Sequence, residues 1–331
     1  MSALQTIAYL GSRGYDTMDD LLPGRPRLGW VGTGRMGYAM ASRLLAAGHD
    51  LAVWNRTRSK SEPLTDQGAT VVDAIGELAD RDVVFTMVST SADLAEVMLG
   101  DGGLLRHETA PRIIVDSSTV DAEVSAEIRT EAAKVGTAFL AAPVSGNGKA
   151  VEAGQLSIVA SGPVEVFEAV RPLLEILGRG VTYAGEGEVA RLVKICHNVF
   201  LGVVTQALAE VTVLAQKGGV SRAAFLGFLN GSVLGSTFTR YKSPAFVNLD
   251  LTPTFTPVLL GKDFDLGMDA AHELAVPMPV AALTHQLVKS AIGHGHVDED
   301  FAVLLTEQAL AAGLVLEPEH AQITDGLEDD A

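Results

Sequence analysis

From residue 27 onward, short apolar runs alternate with longer segments in which apolar side chains recur every three or four positions. Arg27–Val31, Asp50–Trp54, Asp82–Val88, Arg112–Asp116, Ala138–Ala142, Gln155–Ala160 and Val181–Ala184 predict β-strands, being β-rich and bounded by turn formers. Met36–Ala47, Ala92–Leu99 and Asp121–Lys134 predict helices between them. Strands separated by such helices imply βαβ units and a mostly parallel sheet. Past about residue 188 the strand pattern stops, and Ala190–Lys217, Arg222–Leu229, Pro257–Leu274 and Ala281–Ile292 predict helices punctuated by Pro and Gly. The expected fold class is α/β: a doubly wound sheet in residues 27–188, then an all-α domain in 189–316, joined by a long helix. Residues 1–26 are expected to be a flexible extension and 317–331 a loose acidic tail.

The long helix would measure about 42 Å at ~1.5 Å per residue. Leu192, Val193, Ile195, Val199, Phe200, Leu201, Val203, Val204 and Leu208 leave it apolar on most faces. Such a helix needs cover from a core or from another subunit, so a homodimer or homotetramer is expected. Within it, in the stretch RLVKICHNVF, Lys194 and Asn198 stand four apart. Burying an unpaired ammonium costs several kcal/mol, so the lysine calls for a chemical reason.

The glycines after the first strand give the first indication of chemistry. In RLGWVGTGRMGYAM, Gly32, Gly34 and Gly37 spell G-x-G-x-x-G between a strand and a helix. The first glycine permits a tight turn, the second lets the backbone approach a pyrophosphate, and the third lets helix and strand pack closely. Gly32, Thr33, Gly34, Arg35, Met36 and Gly37 are therefore the expected dinucleotide seat of a Rossmann-type domain; the alternative is a glycine turn without a ligand. The second strand ends in Asn55, Arg56, Thr57 and Arg58, where an NAD site normally carries an acid. These residues suit a 2′-phosphate, so NADP is expected ahead of NAD, unless the arginines are only a solvated strand end.

Composition narrows the rest. The 331 residues are 47% hydrophobic, enough for a large core, and carry a formal charge of -17, which disfavours nucleic acid and anionic membranes as partners. No run of about 18 apolar residues stands out, so no membrane span is expected, and residues 1–26 resemble neither a signal nor a transit peptide. The one cysteine, Cys196, precludes an internal disulfide and reads as a small buried hydrophobe. A cytoplasmic setting is expected. His294 and His296 in GHGHVDED are weak grounds for a metal, and none is expected.

Four further stretches, VDSSTVDAEVSAEI (115–128), FLAAPVSGNGKAVEAG (139–154), RLVKICHNVF (191–200) and KDFDLGMDAA (262–271), complete a pattern with the glycine turn. Together they resemble the β-hydroxyacid dehydrogenases, the family of 3-hydroxyisobutyrate dehydrogenase, tartronate semialdehyde reductase and glyoxylate or succinic semialdehyde reductase. The resemblance spans about residues 27–315. It implies an NAD(P)-dependent enzyme acting on a small hydroxy acid or aldehyde acid. Lys194 matches the family's general acid/base and Asn198 the residue that positions substrate. Ser145, Gly146 and Asn147 match the loop that holds the substrate carboxylate. Val88, Ser89, Thr119 and Lys262 match positions beside the cofactor or active site, and Asp263 follows Lys262 as in the family.

The chain departs from the family spelling in two places. Ala141 and Asn147 replace an acid and a glycine around the substrate loop, and Lys149 is either a solvated loop lysine or a contact for a second anionic group. Glu188-Val189-Ala190 fills the place of the usual glycine pair before the lysine. The K-x-x-H-N spelling approaches 6-phosphogluconate dehydrogenases, but Leu201 stands where those carry a glutamate acid. Imine reductases of the same fold usually replace the lysine. The alternatives are an imine reductase or a non-catalytic dinucleotide-binding protein. Phe238, Arg240 and Lys242 fall in a Gly/Ser-bordered connection that either closes over substrate or is a surface loop.

Overall fold

The computed structural model describes residues 21–326 except 23 and 147. Asn147 and the side chain of Lys149, both expected in the substrate loop, therefore lie outside the described residues. The chain forms two compact units that divide after Lys194. Helix α6 (Val189–Lys217) runs through the division.

Unit 1 is built on a sheet of β1 (Leu28–Val31), β2 (Leu51–Trp54), β3 (Thr70–Val71), β4 (Val83–Thr86), β5 (Ile113–Asp116), β6 (Ala138–Ala141), β7 (Val144–Ser145), β8 (Ser157–Ser161) and β9 (Gly180–Gly185). Helices α1 (Arg35–Ala46), α2 (Ser91–Leu99), α3 (Ala122–Lys134), α4 (Gly148–Glu152) and α5 (Val164–Leu177) connect them. The strand order is β3-β2-β1-β4-β5-β6-β8-β7, with β9 beside β8. The ladder from β3 to β6 is parallel throughout, while β8 runs antiparallel to β6 and β7. Every residue of β1, β4, β5 and β6 is buried, which is why these strands read as largely apolar runs rather than alternating ones, with Thr86 and Asp116 the polar ends of β4 and β5.

Register matters more for function than strand count. Val31 lies opposite both Trp54 and Thr86, Thr86 opposite Asp116, and Asp116 opposite Ala141. The strands thus end flush, and the loops after β1, β2, β4, β5 and β6 emerge along one carboxyl edge. The order reverses between β1 and β4, the point where doubly wound sheets form a crevice.

Unit 2 contains the rest of α6 with α7 (Arg222–Gly231), α8 (Thr237–Asn248), α9 (Pro257–Glu273), α10 (Pro279–Gly293) and α11 (Leu304–Ala311). Its core joins Ile195 and Val199 of α6 to Leu260, Phe264, Val288 and Phe301.

Several expectations are corrected here. The connection holding Phe238, Arg240 and Lys242 is helix α8, and Lys242 is buried in an ion pair with Asp300. The expected loose tail is docked as far as it is described: Glu319 accepts hydrogen bonds from the amides of Arg222 and Ala223 at the start of α7, and Arg222 donates to the carbonyl of Glu317. The end of the N-terminal extension is anchored too, for Leu21 sits in the unit 1 core and Arg25 bonds the carbonyl of Ala47; residues 1–20 lie outside the description. Cys196 is exposed rather than buried. Helix α6 leaves Phe200, Val211 and Leu214 exposed, so the described residues do not cover it. By length and composition alone it is long and apolar enough to cross a membrane, against expectation, and half of its most apolar 18-residue window is buried.

Candidate active site

At the reversal point, two glycines of the turn are sterically constrained and the one between them is not. Gly32 adopts φ +93°, and a Cβ there would lie 2.2 Å from the carbonyl oxygen of Met87. A Cβ on Gly37 would meet the carbonyl oxygen of Gly32 at 1.9 Å, an oxygen that also accepts from the indole of Trp30 at 2.9 Å. Around Gly34, by contrast, a Cβ would meet nothing within 4 Å. Gly34 is the N-cap of α1, extended, and makes no side-chain capping bond. An uncapped helix N-terminus beside open space fits the diphosphate of a dinucleotide, since amide hydrogens and the positive dipole end attract anions.

The neighbouring residues divide into braces and exposed groups. Buried Thr33 donates its amide to Asn55 Oδ1 at 2.9 Å and bonds Ser61 through its hydroxyl. Asn55 also donates to the carbonyl of Thr57 at 2.9 Å. The Asn55 amide thus shapes the turn, a role its position in the sequence did not reveal. Arg56 is exposed and bonds Asp93 at the start of α2 at 3.1 Å, while Arg58 pairs with Asp73 and Glu62. Arg35 and Thr57 are exposed and Met36 is half-buried.

Farther along the same edge, the amide of Val88 donates to Ser118 Oγ at 2.9 Å, which joins the loop after β4 to the loop after β5. Ser89 is exposed and Thr119 half-buried. Ser145 is half-buried in β7, and Gly146 follows it at φ +137°. Lys194 closes unit 1 on α6, nine-tenths buried. Sequence reasoning missed Asp116 and Arg191 of this unit, both essentially inaccessible to solvent. The available signal was an acid ending an otherwise apolar strand.

Unit 2 gathers Asn198, Lys262 and Asp263. The buried Asn198 donates through Nδ2 to Asp263, and its Oδ1 lies 2.9 Å from Nδ1 of His197. Lys262 Nζ lies 3.4 Å from Asp263. Both ends of the Asn198 amide are therefore held. Lys242 lies elsewhere in this unit, in the α8–Asp300 pair, where burial lowers its pKa and Asp300 opposes the shift. His294 and His296 engage Glu307 and Glu299, and no group of three or more metal-ligating side chains occurs among the described residues.

Comparison with known proteins adds to this geometry. Residues 27–185 match the family model for the NAD binding domain of 6-phosphogluconate dehydrogenase, and residues 185–307 match that for the NAD-binding of NADP-dependent 3-hydroxyisobutyrate dehydrogenase. Glyoxylate/succinic semialdehyde reductase 2, chloroplastic, of Arabidopsis thaliana is 32% identical over 305 residues, 92% of this chain and 84% of the relative. Glyoxylate/succinic semialdehyde reductase 1 of the same plant is 33% identical over 279 residues, 84% of this chain and 96% of the relative. Among solved structures, 3-hydroxyisobutyrate dehydrogenase from Salmonella typhimurium aligns with a TM-score of 0.77 at 25% identity, covering 84% of this chain and 98% of that one. An imine reductase from Myxococcus stipitatus aligns at 0.56 with 22% identity over 84% of this chain and 98% of its own, a likeness of fold alone.

Proposed function

The chain belongs to the β-hydroxyacid dehydrogenase family, and from that membership we propose that it interconverts a small 3-hydroxy acid and its semialdehyde with a nicotinamide cofactor, NADP preferred, using Lys194 as general acid/base. The observation that carries this reading is the buried Lys194 in the same unit as an uncapped glycine turn whose central position is open. Gly32–Gly37 would hold the diphosphate, with Val88, Ser89 and Thr119 toward the nicotinamide end. When bound, the nicotinamide supplies or accepts the hydride. The preference for NADP is supported by the exposed Arg56 guanidinium and by the absence of an acid at positions 55–58.

The protein's own groups handle the proton and the orientation. Lys194 Nζ gives a proton to the carbonyl oxygen in reduction and removes it from the hydroxyl in oxidation, so charge does not accumulate on oxygen. Asn198, held by Asp263 and His197, positions the substrate, with Lys262 contributing from the same cluster. Ser145 and the backbone at Gly146 receive the substrate carboxylate. The exposed apolar residues of α6 support a homodimer or homotetramer.

The test is turnover by purified protein with a panel of 3-hydroxy acids and semialdehydes, each with NADP and with NAD. Turnover of at least one such substrate, faster at low NADP than at low NAD, is the expected result. Dinucleotide binding without turnover of any panel member would favour a binding protein, and turnover only of cyclic imines would favour imine reduction.

A further inference from the structure

A set of buried polar side chains in unit 1 has no part in the proposed chemistry, yet it meets at the base of the helix that carries Lys194. Arg191, the third residue of α6, is 1% exposed and Asp116 is 0% exposed. Arg191 Nη2 bonds the Asp116 carboxylate at 2.5 Å, Nη1 bonds the carbonyl of Ser118 at 2.6 Å, and Nε bonds Ser125 Oγ at 3.2 Å. The same carboxylate accepts from Thr86 Oγ1 at 2.5 Å and from Ser118 Oγ at 2.7 Å. One residue before α6, Glu188 bonds Ser125 Oγ and the Arg129 side chain, and lies 3.8 Å from Arg191.

The connections are unusual for a mere core contact. Through one guanidinium, the first turn of α6 is tied to the end of β5 and the loop after it, through Asp116 to Thr86 at the end of β4, and through Ser118 to the Val88 amide. These are the loops expected to line the cofactor. A lysine could not make this set of bonds, because they leave three different nitrogens spread across a planar fork, whereas an ammonium donates from one. Nor does stability explain the choice, for a buried ion pair is often no better than well-packed apolar side chains. Lys194 follows Arg191 by three residues, the next turn on the same helix face. Where a glycine pair would leave the backbone pliable, Glu188-Val189-Ala190 and Arg191 hold it.

We propose that Arg191, held by Asp116, is a positioning residue that fixes the rotation of the first turns of α6 against the loops after β4 and β5, and with it the direction of Lys194. The proposal rests on the general acid/base role assigned to Lys194. Its test compares Arg191→Lys, which keeps the charge but loses the fork, with Asp116→Asn/Arg191→Gln, an uncharged pair able to hydrogen-bond across the same gap. NADPH affinity is read by its fluorescence, folding by thermal melting, and chemistry by kcat, KM and the pH profile of kcat.

In Arg191→Lys, NADPH affinity stays within about threefold of wild type, kcat falls by roughly tenfold or more with little change in KM, and the limb of the profile abolished by Lys194→Ala moves by about half a pH unit or more. The double variant recovers kcat relative to Asp116→Asn alone. A folded Arg191→Lys enzyme with wild-type kcat and an unmoved limb overturns the proposal; if that variant does not fold, the double variant carries the same readouts. Should wild type turn over no hydroxy acid, the functional reading fails separately. Positioning is then read from the 13C signal of methylated Lys194, whose titration midpoint must move in the variant, and an unmoved midpoint overturns it.

Discussion

Two buried ion pairs, one in each unit, do different work. In unit 2, Lys242 Nζ lies 2.6 Å from Asp300 and 3.0 Å from Thr254 Oγ1, and sits 4.2 Å from the ring centre of Phe301. Asp300 also accepts from the Thr254 hydroxyl and from the amides of Thr254 and Ala302, so it gathers the turn before α11. In unit 1, Arg191 and Asp116 are as deeply buried, but their bonds end on the loops of the carboxyl edge. Burial of a charge therefore does not by itself mark chemistry. Lys194 and Lys242 are both nine-tenths or more buried on helices, and what separates them is where their surroundings lead.

Substitution sharpens the contrast. The largest stability loss is expected from Asp300→Ala, which strands Lys242 and frees the turn: about 3–5 kcal/mol in urea unfolding, with NADPH affinity unchanged. A large drop in that affinity would erase the distinction between the pairs. Arg191→Met should destabilise by about 3 kcal/mol for the same reason, but with turnover lost as well. Undiminished kcat in a folded sample would make the two pairs equivalent.

At the glycine turn, Gly34→Ala should leave stability within about 0.5 kcal/mol, because a methyl group meets open space, and weaken dinucleotide binding roughly a hundredfold by filling that space. Calorimetric binding and melting measured on the same sample decide it. Gly37→Ala, whose Cβ would strike the Gly32 carbonyl, should fail in both readouts. Removing the Glu319 carboxylate by Glu319→Ala should cost about 1 kcal/mol, the usual worth of a helix N-cap, and should leave unit 1 untouched.

The smallest effect is in pH. His49 in unit 1 and His285 in unit 2 both titrate below the usual histidine range, chiefly through burial; Arg25 adds to the shift for His49, and Asp265 opposes it for His285. Below about pH 6.5 the unfolded chain binds protons that the folded chain refuses, so stability falls as pH drops and levels off above that value. Unfolding midpoints at three pH values, with and without His285→Gln, test this: the variant should show a shallower decline.

Much of unit 1 was legible because its signals are local. The largely apolar strands, the glycines and the helix after them lie within a few residues of one another, and each constraint at Gly32 and Gly37 is met by the backbone of the turn or of the adjacent strand end. Strands β3 and β7, two residues each, are too short to show a period. Pro172 in α5 and Pro244 in α8 look like helix breaks, yet both helices continue through them. The Arg191–Asp116 and Lys242–Asp300 pairs join residues 75 and 58 apart, a separation at which a single sequence carries no signal. Acidic composition made the tail look solvated, although one carboxylate of it caps a helix. Asn55 read as a contact for a 2′-phosphate because its own bonds to Thr33 and Thr57 are invisible until the turn is folded.

The central claim is that Lys194 moves the proton in a dinucleotide-dependent reaction. Single-turnover oxidation of prebound NADPH by a semialdehyde, followed at 340 nm in wild type and in Lys194→Ala with equal cofactor occupancy, tests it most directly. The account predicts unchanged NADPH affinity and a rate lowered by about a hundredfold or more, the range of acid/base catalysis. A wild-type rate in the variant would contradict it.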